Sequence, residues 1–352
     1  MPPGAGELGV SGRATRWHRS GPILPDVVDQ IRWGIAATGG IAETFANALA
    51  QLDDAAVVAI ASRSADRADA FADRHSIERR HGSYEALAAD GDVDVVYVAT
   101  PHARHAADTL LFLEGGKPVL CEKPFALSRA QAERMVHEAR GRGLFLMEAL
   151  WSRFLPAYRL LAELLADGAI GEPLMVEADF GFRRPVDPSH RLFDLALGGG
   201  ALLDLGIYPI QLASMVLGPP DRVAAQAHIG ETGVDELVAA VLHHPGGGLA
   251  VVKAAIRVGL SCTARLSGSD GWIDLPAFMH RPDYLVVGGV GGTQRRDCSF
   301  EGEGLRFQAI EVHRCLREGL SESPVMPLDE TLTMAGTLDA VRAQIGLVYP
   351  GE

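Results

Sequence analysis

The run Ala37-Thr38-Gly39-Gly40-Ile41-Ala42 follows an apolar stretch and precedes a helical one. Its small residues would let the backbone approach a pyrophosphate, and the free N–H groups of the helix it opens would bind one. The spacing matches a dinucleotide fingerprint with Ala37, Gly39 and Ala42 at the G-x-G-x-x-G/A positions, so an alanine replaces the first glycine. Further on, where a fold specific for NAD puts an acidic residue at the end of its second strand, the chain has Ser62-Arg63-Ser64 and then Arg67. Guanidinium forks suit a ribose 2′-phosphate, so NADP is expected over NAD. A tight turn without ligand and a solvated helix start are the plain alternatives for these two segments. In Val119-Leu120-Cys121-Glu122-Lys123-Pro124, the lysine lies just beyond the C-terminal end of a short apolar strand. Ligands bind at that edge in open α/β sheets. The ammonium could touch a nicotinamide ribose and a substrate hydroxyl, and Glu122 and Pro124 make its loop too rigid for an ordinary surface lysine.

These groups need a sheet to hold them, and the pattern supplies one. Ile31–Ala37, Val57–Ala61, Val93–Ala99, Pro118–Cys121 and Leu144–Met147 read as five buried strands. Helical spacing intervenes at 43–52, 65–75, 84–89, 103–114 and 128–142, with Ser128 as a cap. That alternation means βαβ units and a parallel sheet. After about Trp151 the rhythm changes to a helix near 156–167, a strand-like run at 174–181 and an apolar helix over 198–217. Short alternating stretches separated by glycine turns follow over 223–297, then a helix over 328–345. The expected fold is α/β: an N-terminal Rossmann domain over 29–150, an α+β domain with an open-faced, largely antiparallel mixed sheet over 151–327, and a C-terminal helix and tail over 328–352. Residues 1–28, rich in Gly, Pro and Arg, read as a disordered tail without the pattern of a signal peptide.

Composition narrows the function further. With 47% hydrophobic and 22% charged residues the chain can bury a sizeable core. Its net charge of −13 makes it a poor partner for nucleic acid or an anionic membrane surface. No apolar run reads as long enough to span a bilayer. The four cysteines form no CxxC pair, which excludes a disulfide scaffold and a thiolate zinc site and suggests reduced thiols in the cytoplasm. His102 and His105, or His243 and His244, make no metal-ligand pattern, and no metal is expected. Ser152, Ser214 and Ser261 lack a nucleophile elbow.

Taken together, Gly34–Ala42, Thr100-Pro101 followed by His105, Glu122-Lys123-Pro124 and Gly198-Gly199-Gly200-Ala201-Leu202-Leu203-Asp204-Leu205-Gly206-Ile207-Tyr208 resemble the glucose–fructose oxidoreductase/inositol dehydrogenase family. Gly82-Ser83-Tyr84-Glu85, Phe145–Phe154 and Glu231–Asp235 are similar to its branch of dimeric dihydrodiol dehydrogenases and NADP-dependent D-xylose dehydrogenases. The resemblance runs from about Ile31 to Tyr349. It implies that Lys123 is the active-site lysine and that Asp204 and Tyr208 project toward the nicotinamide. Tyr97 and His105 would help bind coenzyme, Trp151 and Arg153 would line the cleft, and His102 would do so from the Thr100-Pro101 loop. It also implies a homodimer, or a higher homo-oligomer, paired through the C-terminal sheet. Most of the wider family has a histidine where this chain has Tyr208, and tyrosine fits the dihydrodiol branch.

Oxidising a hydroxyl removes a proton while hydride leaves the same carbon. A free phenol, with a pKa near ~10, is a weak base for that task. Lys123 beside Tyr208 would favour the phenolate. Asp204, four residues before Tyr208, would share its helix face and would help only if Lys123 neutralised it. The expected activity is hydride transfer between NADP and a small polyol, an aldose such as D-xylose or a trans-dihydrodiol. The alternatives are a keto-sugar reductase acting on a nucleotide-linked sugar, with Arg183, Arg184 and Arg191 as possible nucleotide contacts, and a non-catalytic NADP-binding sensor.

Overall fold

The computed structural model describes residues 30–352, so the expected tail lies outside the described residues. The first half alternates β1 (Ile31–Ala36), α1 (Gly40–Leu49), β2 (Ala55–Ala61), α2 (Ala65–His75), β3 (Arg79–His81), α3 (Tyr84–Ala88), β4 (Val95–Val98), α4 (His105–Glu114), β5 (Val119–Glu122), α5 (Arg129–Arg142) and β6 (Leu146–Ala149). The strands form one parallel sheet in the order β3-β2-β1-β4-β5-β6. The order reverses between β1 and β4, which opens a crevice at their C-terminal ends. Lys123 follows β5 directly and therefore lies along that edge.

The sequence pattern shows five of these strands and misses β3. Its residues are Arg79, Arg80 and His81, with no apolar side chain to mark them. An edge strand can be built that way, because only one side pairs and charged side chains remain in water. Arg79 forks onto Asp90 at 2.8 and 2.9 Å, and Arg80 meets Asp73 at 2.6 Å.

The second half contains α6 (Pro156–Ala166), β7 (Pro173–Gly181), α7 (Ile207–Leu217), β8 (Arg222–Ile229), β9 (Asp235–His243), β10 (Leu249–Ala255), β11 (Ala264–Gly268), β12 (Gly271–Leu275), β13 (Tyr284–Gly289), β14 (Gly292–Asp297), α8 (Arg306–Arg317) and α9 (Leu328–Ile345). Its eight-stranded sheet runs β14-β13-β12-β11-β7-β10-β9-β8, and only the β7–β10 pair is parallel. Helix α7 packs on one face of this sheet, while α9 packs against α5, α7 and β8 and so ties the two halves together. Helix α8, which no sequence signal marked, packs beside α1. Its His313 accepts from Trp33 Nε1 at 2.9 Å and bonds Asp54 at 3.1 Å.

The segment expected to be one helix over 198–217 is not uniform. Leu202–Gly206 forms a π-helical turn, and the α-helix begins at Ile207. Contrary to the sequence reading, Leu195–Leu217 is apolar enough by length and composition to cross a membrane. Here 78% of its most apolar window is buried inside the protein, which makes it a core segment. Its entry is fixed by Gly200, whose φ is +117° and whose added Cβ would lie 2.0 Å from Asp235 Oδ1. Asp235 Oδ2 accepts from Leu202 N at 2.7 Å, which anchors the turn that carries Asp204. Gly200→Ala is expected to cost about 3 kcal/mol or more, through backbone strain and the clash with a buried carboxyl. Denaturant unfolding measures this, and an unchanged midpoint would show that the loop relaxes freely.

Candidate active site

Asp204 is 5% exposed and carries a carboxylate that three side chains approach. Its Oδ1 lies 3.3 Å from Lys123 Nζ and 3.1 Å from both terminal nitrogens of Arg191. His102 Nε2 is 3.6 Å away. Lys123 Nζ also donates to the Asp204 carbonyl at 2.7 Å. Lysine and histidine come from the ends of β5 and β4, arginine and aspartate from the second half, so the cluster spans both halves of the chain. Burial would raise the carboxyl's pKa, but Lys123, Arg191 and His102 hold it well below the usual range. Burial likewise pulls the ammonium down, and Asp204, Tyr208 and Glu122 more than offset it. His102 is driven by burial down to about 3, so its imidazole is neutral. Asp204 is thus neutralised by Lys123, the condition on which its usefulness depended.

Tyr208, one residue into α7, is 5% exposed. Its ring centroid is 5.1 Å from Lys123 Nζ. Trp151 Nε1 donates to its hydroxyl oxygen at 2.9 Å. With the indole on one lone pair, the phenol keeps its own O–H free of any acceptor among the described residues. Lys123 does act to lower the phenol's pKa, as the residue types suggested, but burial is the larger effect and the pKa lies above its ordinary value. The expected phenolate is therefore corrected: near neutral pH Tyr208 is a protonated donor.

An aromatic wall continues from Tyr208. Phe180 of β7 meets it edge-on at 5.4 Å. His280, on the loop between β12 and β13, stacks on Phe180 at 4.4 Å and lies 5.2 Å from Tyr208 and 5.8 Å from Trp151. Sequence reasoning singled out neither Phe180 nor His280, and it treated Arg191 only as a possible substrate contact. Phe180 carries the strand's inward alternation as a signal, whereas His280 belongs to no motif.

The turn between β1 and α1 is bare. An added Cβ at Gly39 or Gly40 would meet nothing within 4 Å. Gly39 caps α1 without a side-chain bond, so the first N–H groups of the helix stay open. Ile41 is 40% exposed at the rim and Ala42 is buried beneath it. Ala37 holds φ +89°, a left-handed conformation that explains why glycine suits this position and that costs alanine about 1–3 kcal/mol. Thr38, the next residue, is half-buried. At the end of β2, Ser62 Oγ accepts from Ser64 N at 3.2 Å, and Arg63 and Arg67 are exposed. At the end of β4, the Thr100 hydroxyl is buried without a partner, and Pro101 follows.

Four residues expected to bind coenzyme, Tyr97, His105, Glu122 and Arg153, are engaged by the protein itself. Tyr97 is fully buried, stacks on Phe45 at 3.9 Å and donates to Glu122 Oε1 at 2.5 Å. Glu122 Oε2 in turn accepts from Lys123 N at 3.1 Å, so Tyr97 and Glu122 buttress the lysine from behind. His105 lies between the Pro124 and Thr100 carbonyls, 2.7 and 2.8 Å from its two ring nitrogens, and its single N–H donates to one of them, which places it between the two loops. Arg153 is forked onto Glu330 at 2.6 and 3.0 Å, an ion pair between the Trp151 turn and α9. Burial holds Tyr97, His105 and Glu122, and the Glu330 ion pair holds Arg153; in these positions they support the loops that carry Lys123 and Trp151.

Comparison with known proteins agrees with this geometry. The model of the oxidoreductase family with an NAD-binding Rossmann fold matches residues 31–150, and that of the GFO/IDH/MocA C-terminal domain matches 158–274. The chain belongs to the GFO/IDH/MocA oxidoreductase family. Trans-1,2-dihydrobenzene-1,2-diol dehydrogenase from Bos taurus is 42% identical over 333 residues, covering 92% of this chain and 99% of its own. The Homo sapiens enzyme of that name is 42% identical over 332 residues, with the same coverage. Among solved structures, a 3-ketoreductase from Actinomadura kijaniata in complex with NADP and TDP-benzene has a TM-score of 0.81 at 29% identity, covering 90% of this chain and 98% of its own. An aldose-aldose oxidoreductase from Caulobacter crescentus, complexed with glycerol, has a TM-score of 0.81 at 25% identity, covering 90% of this chain and 97% of its own.

The chain is an NAD(P)-dependent dehydrogenase or reductase, and its residues fit the dinucleotide. The open glycines and uncapped helix start offer N–H donors to a pyrophosphate. The unpartnered Thr100 hydroxyl at the crevice supplies a further polar contact. The raised phenol pKa sets a pH dependence. With Tyr208 as the expected proton donor, carbonyl reduction would hold from about pH 6 to 9 and fall above the ordinary phenol value near ~10. Alcohol oxidation is expected to climb over that same alkaline range. Steady-state pH profiles in both directions check this, and an oxidation optimum near neutrality would contradict it.

Proposed function

We propose that the enzyme transfers hydride between NADP and the hydroxyl or carbonyl carbon of a trans-dihydrodiol, small polyol or aldose. The observation that carries this is a free phenol O–H on Tyr208, aimed by the Trp151 indole beside the Lys123 ammonium. The dihydrodiol dehydrogenases, at 42% identity over nearly the whole chain, support the substrate class. The 3-ketoreductase solved with NADP supports the coenzyme, together with Arg63 and Arg67 where an acidic residue would read NAD. These arginines have no ion-pair partner among the described residues, so their forks are available to a 2′-phosphate.

When bound, the nicotinamide carries the hydride at its C4. In reduction, Tyr208 gives its proton to the carbonyl oxygen as that oxygen becomes negative, and the Lys123 ammonium stabilises the developing charge. In oxidation the phenolate takes the hydroxyl proton. Asp204 fixes the ammonium through both its carboxylate and its carbonyl. The aromatic wall of Phe180 and Trp151 excludes water from one side.

The homodimer belongs to this proposal. The face of the second sheet opposite α7 carries a groove of about 520 Å³, lined in part by Asp179, Lys253, Arg265, Asp274 and Tyr284. Val241 on β9 is 43% exposed. A second copy would cover both, and Val241→Asp is expected to shift the mass in light scattering from dimer to monomer.

The test of the activity is NADP reduction at 340 nm with trans-dihydrodiols and aldoses, with NAD in parallel. Turnover favouring NADP is expected, and Tyr208→Phe should lower kcat by roughly 10²–10⁴-fold while NADP still binds. Arg63→Ala should weaken NADP by about tenfold or more without affecting NAD. Turnover mainly with NAD would overturn the coenzyme assignment. Tight NADP binding without turnover would favour the nucleotide-linked keto-sugar.

A further inference from the structure

The buried histidines of the described chain each place at least one ring nitrogen on a protein partner. His102 bonds the Gly198 carbonyl, His105 faces the Pro124 and Thr100 carbonyls, His313 bonds Trp33 and Asp54, and His244 bonds the Gly218 carbonyl through Nδ1 while its Nε2 is left without a partner. His280 is different. Its Nδ1 is buried without a partner, and neither of its nitrogens is bonded within the described residues. The ring is half-buried, and a buried nitrogen left without a partner is costly unless a ligand satisfies it.

The position of His280 is built. Its carbonyl accepts from Ser152 Oγ at 2.6 Å, while the neighbouring Met279 carbonyl accepts from Tyr158 at 3.1 Å and Met279 N bonds the Cys262 carbonyl at 2.8 Å. The loop backbone is thereby pinned to the turn that carries Trp151. The ring lies parallel to Phe180, with 17° between their planes, and its centroid is 5.2 Å from that of Tyr208. The phenol and the imidazole are the two polar tips of one aromatic wall. Burial, with Arg281 and Lys123, pushes the imidazole's pKa down to about 3, so it stays neutral and can both donate and accept.

We propose that His280 is a specificity-determining residue that binds the second oxygen of a vicinal diol while Tyr208 binds the reacting one. With ring centroids 5.2 Å apart, the phenol and the imidazole are close enough for one small molecule to meet both, and two neighbouring oxygens are the feature that trans-dihydrodiols, polyols and aldoses share. A substrate with a single hydroxyl leaves the imidazole unsatisfied, and that loss is the discrimination.

This inference rests on the proposed substrate class, and its test separates the two. The NADP-loaded enzyme is assayed with trans-cyclohexane-1,2-diol and with cyclohexanol, and diol binding is followed by tryptophan fluorescence. His280→Phe keeps the stack on Phe180 but removes both nitrogens. It is expected to lower the diol-over-alcohol ratio of kcat/KM by about tenfold, mostly through KM, and to weaken diol binding similarly. His280→Gln, which keeps a donor and an acceptor, should recover part of both. An unchanged ratio and unchanged diol affinity in His280→Phe overturn the proposal even if turnover is normal. If the wild type turns over neither compound, the fluorescence titration still decides it: equal diol affinity in wild type and His280→Phe overturns it, and weaker affinity in the variant supports it while the proposed reaction on diols fails.

Discussion

A buried carboxylate is tolerable only if charge and hydrogen bonds surround it, and Asp204 imposes that demand on the rest of the site. It is met by a lysine from one half of the chain and an arginine from the other. The lysine can serve because Tyr97 and Glu122 support its backbone and His105 fixes its loop to the neighbouring one. The carboxylate can be there because Gly200 leaves room for Asp235, which anchors the π-helical turn. Each of these contacts is a condition for placing one ammonium beside one phenol.

Much of this was legible in the chain. A small-residue turn after an apolar strand, arginines at the next strand end and a lysine before a proline mark a dinucleotide crevice by local chemistry alone. The strands of the parallel sheet are legible where they are buried on both faces, since they read as continuous apolar runs. The resemblance of whole phrases around Lys123 and Tyr208 added the acid–base pair.

What was hidden depends on long-range packing. Strand β3 has the composition of a solvated loop, and only its neighbour β2 makes it a strand. Which polar residues face a ligand depends on their partners: Tyr97 and Arg153 read as cleft residues by motif, and here they are engaged by Glu122 and Glu330. His280 lies more than seventy residues from Tyr208 in sequence, on a loop without periodicity, and two separate strands bring it to the wall. The ionisation of Tyr208 was likewise beyond residue types, because a neighbouring cation and burial push in opposite directions and only geometry sets their balance.

The link between Lys123 and Asp204 has a mechanical side. Any hinge motion that parts the two sheets has to draw the ammonium out of both a carboxylate and a carbonyl. The same motion carries Tyr208 away from its cation, because the phenol travels with the second half and the lysine with the first. Such an opening would part the ammonium from the phenol, and closing would bring them together again. The reactive constellation is assembled only while the latch is shut.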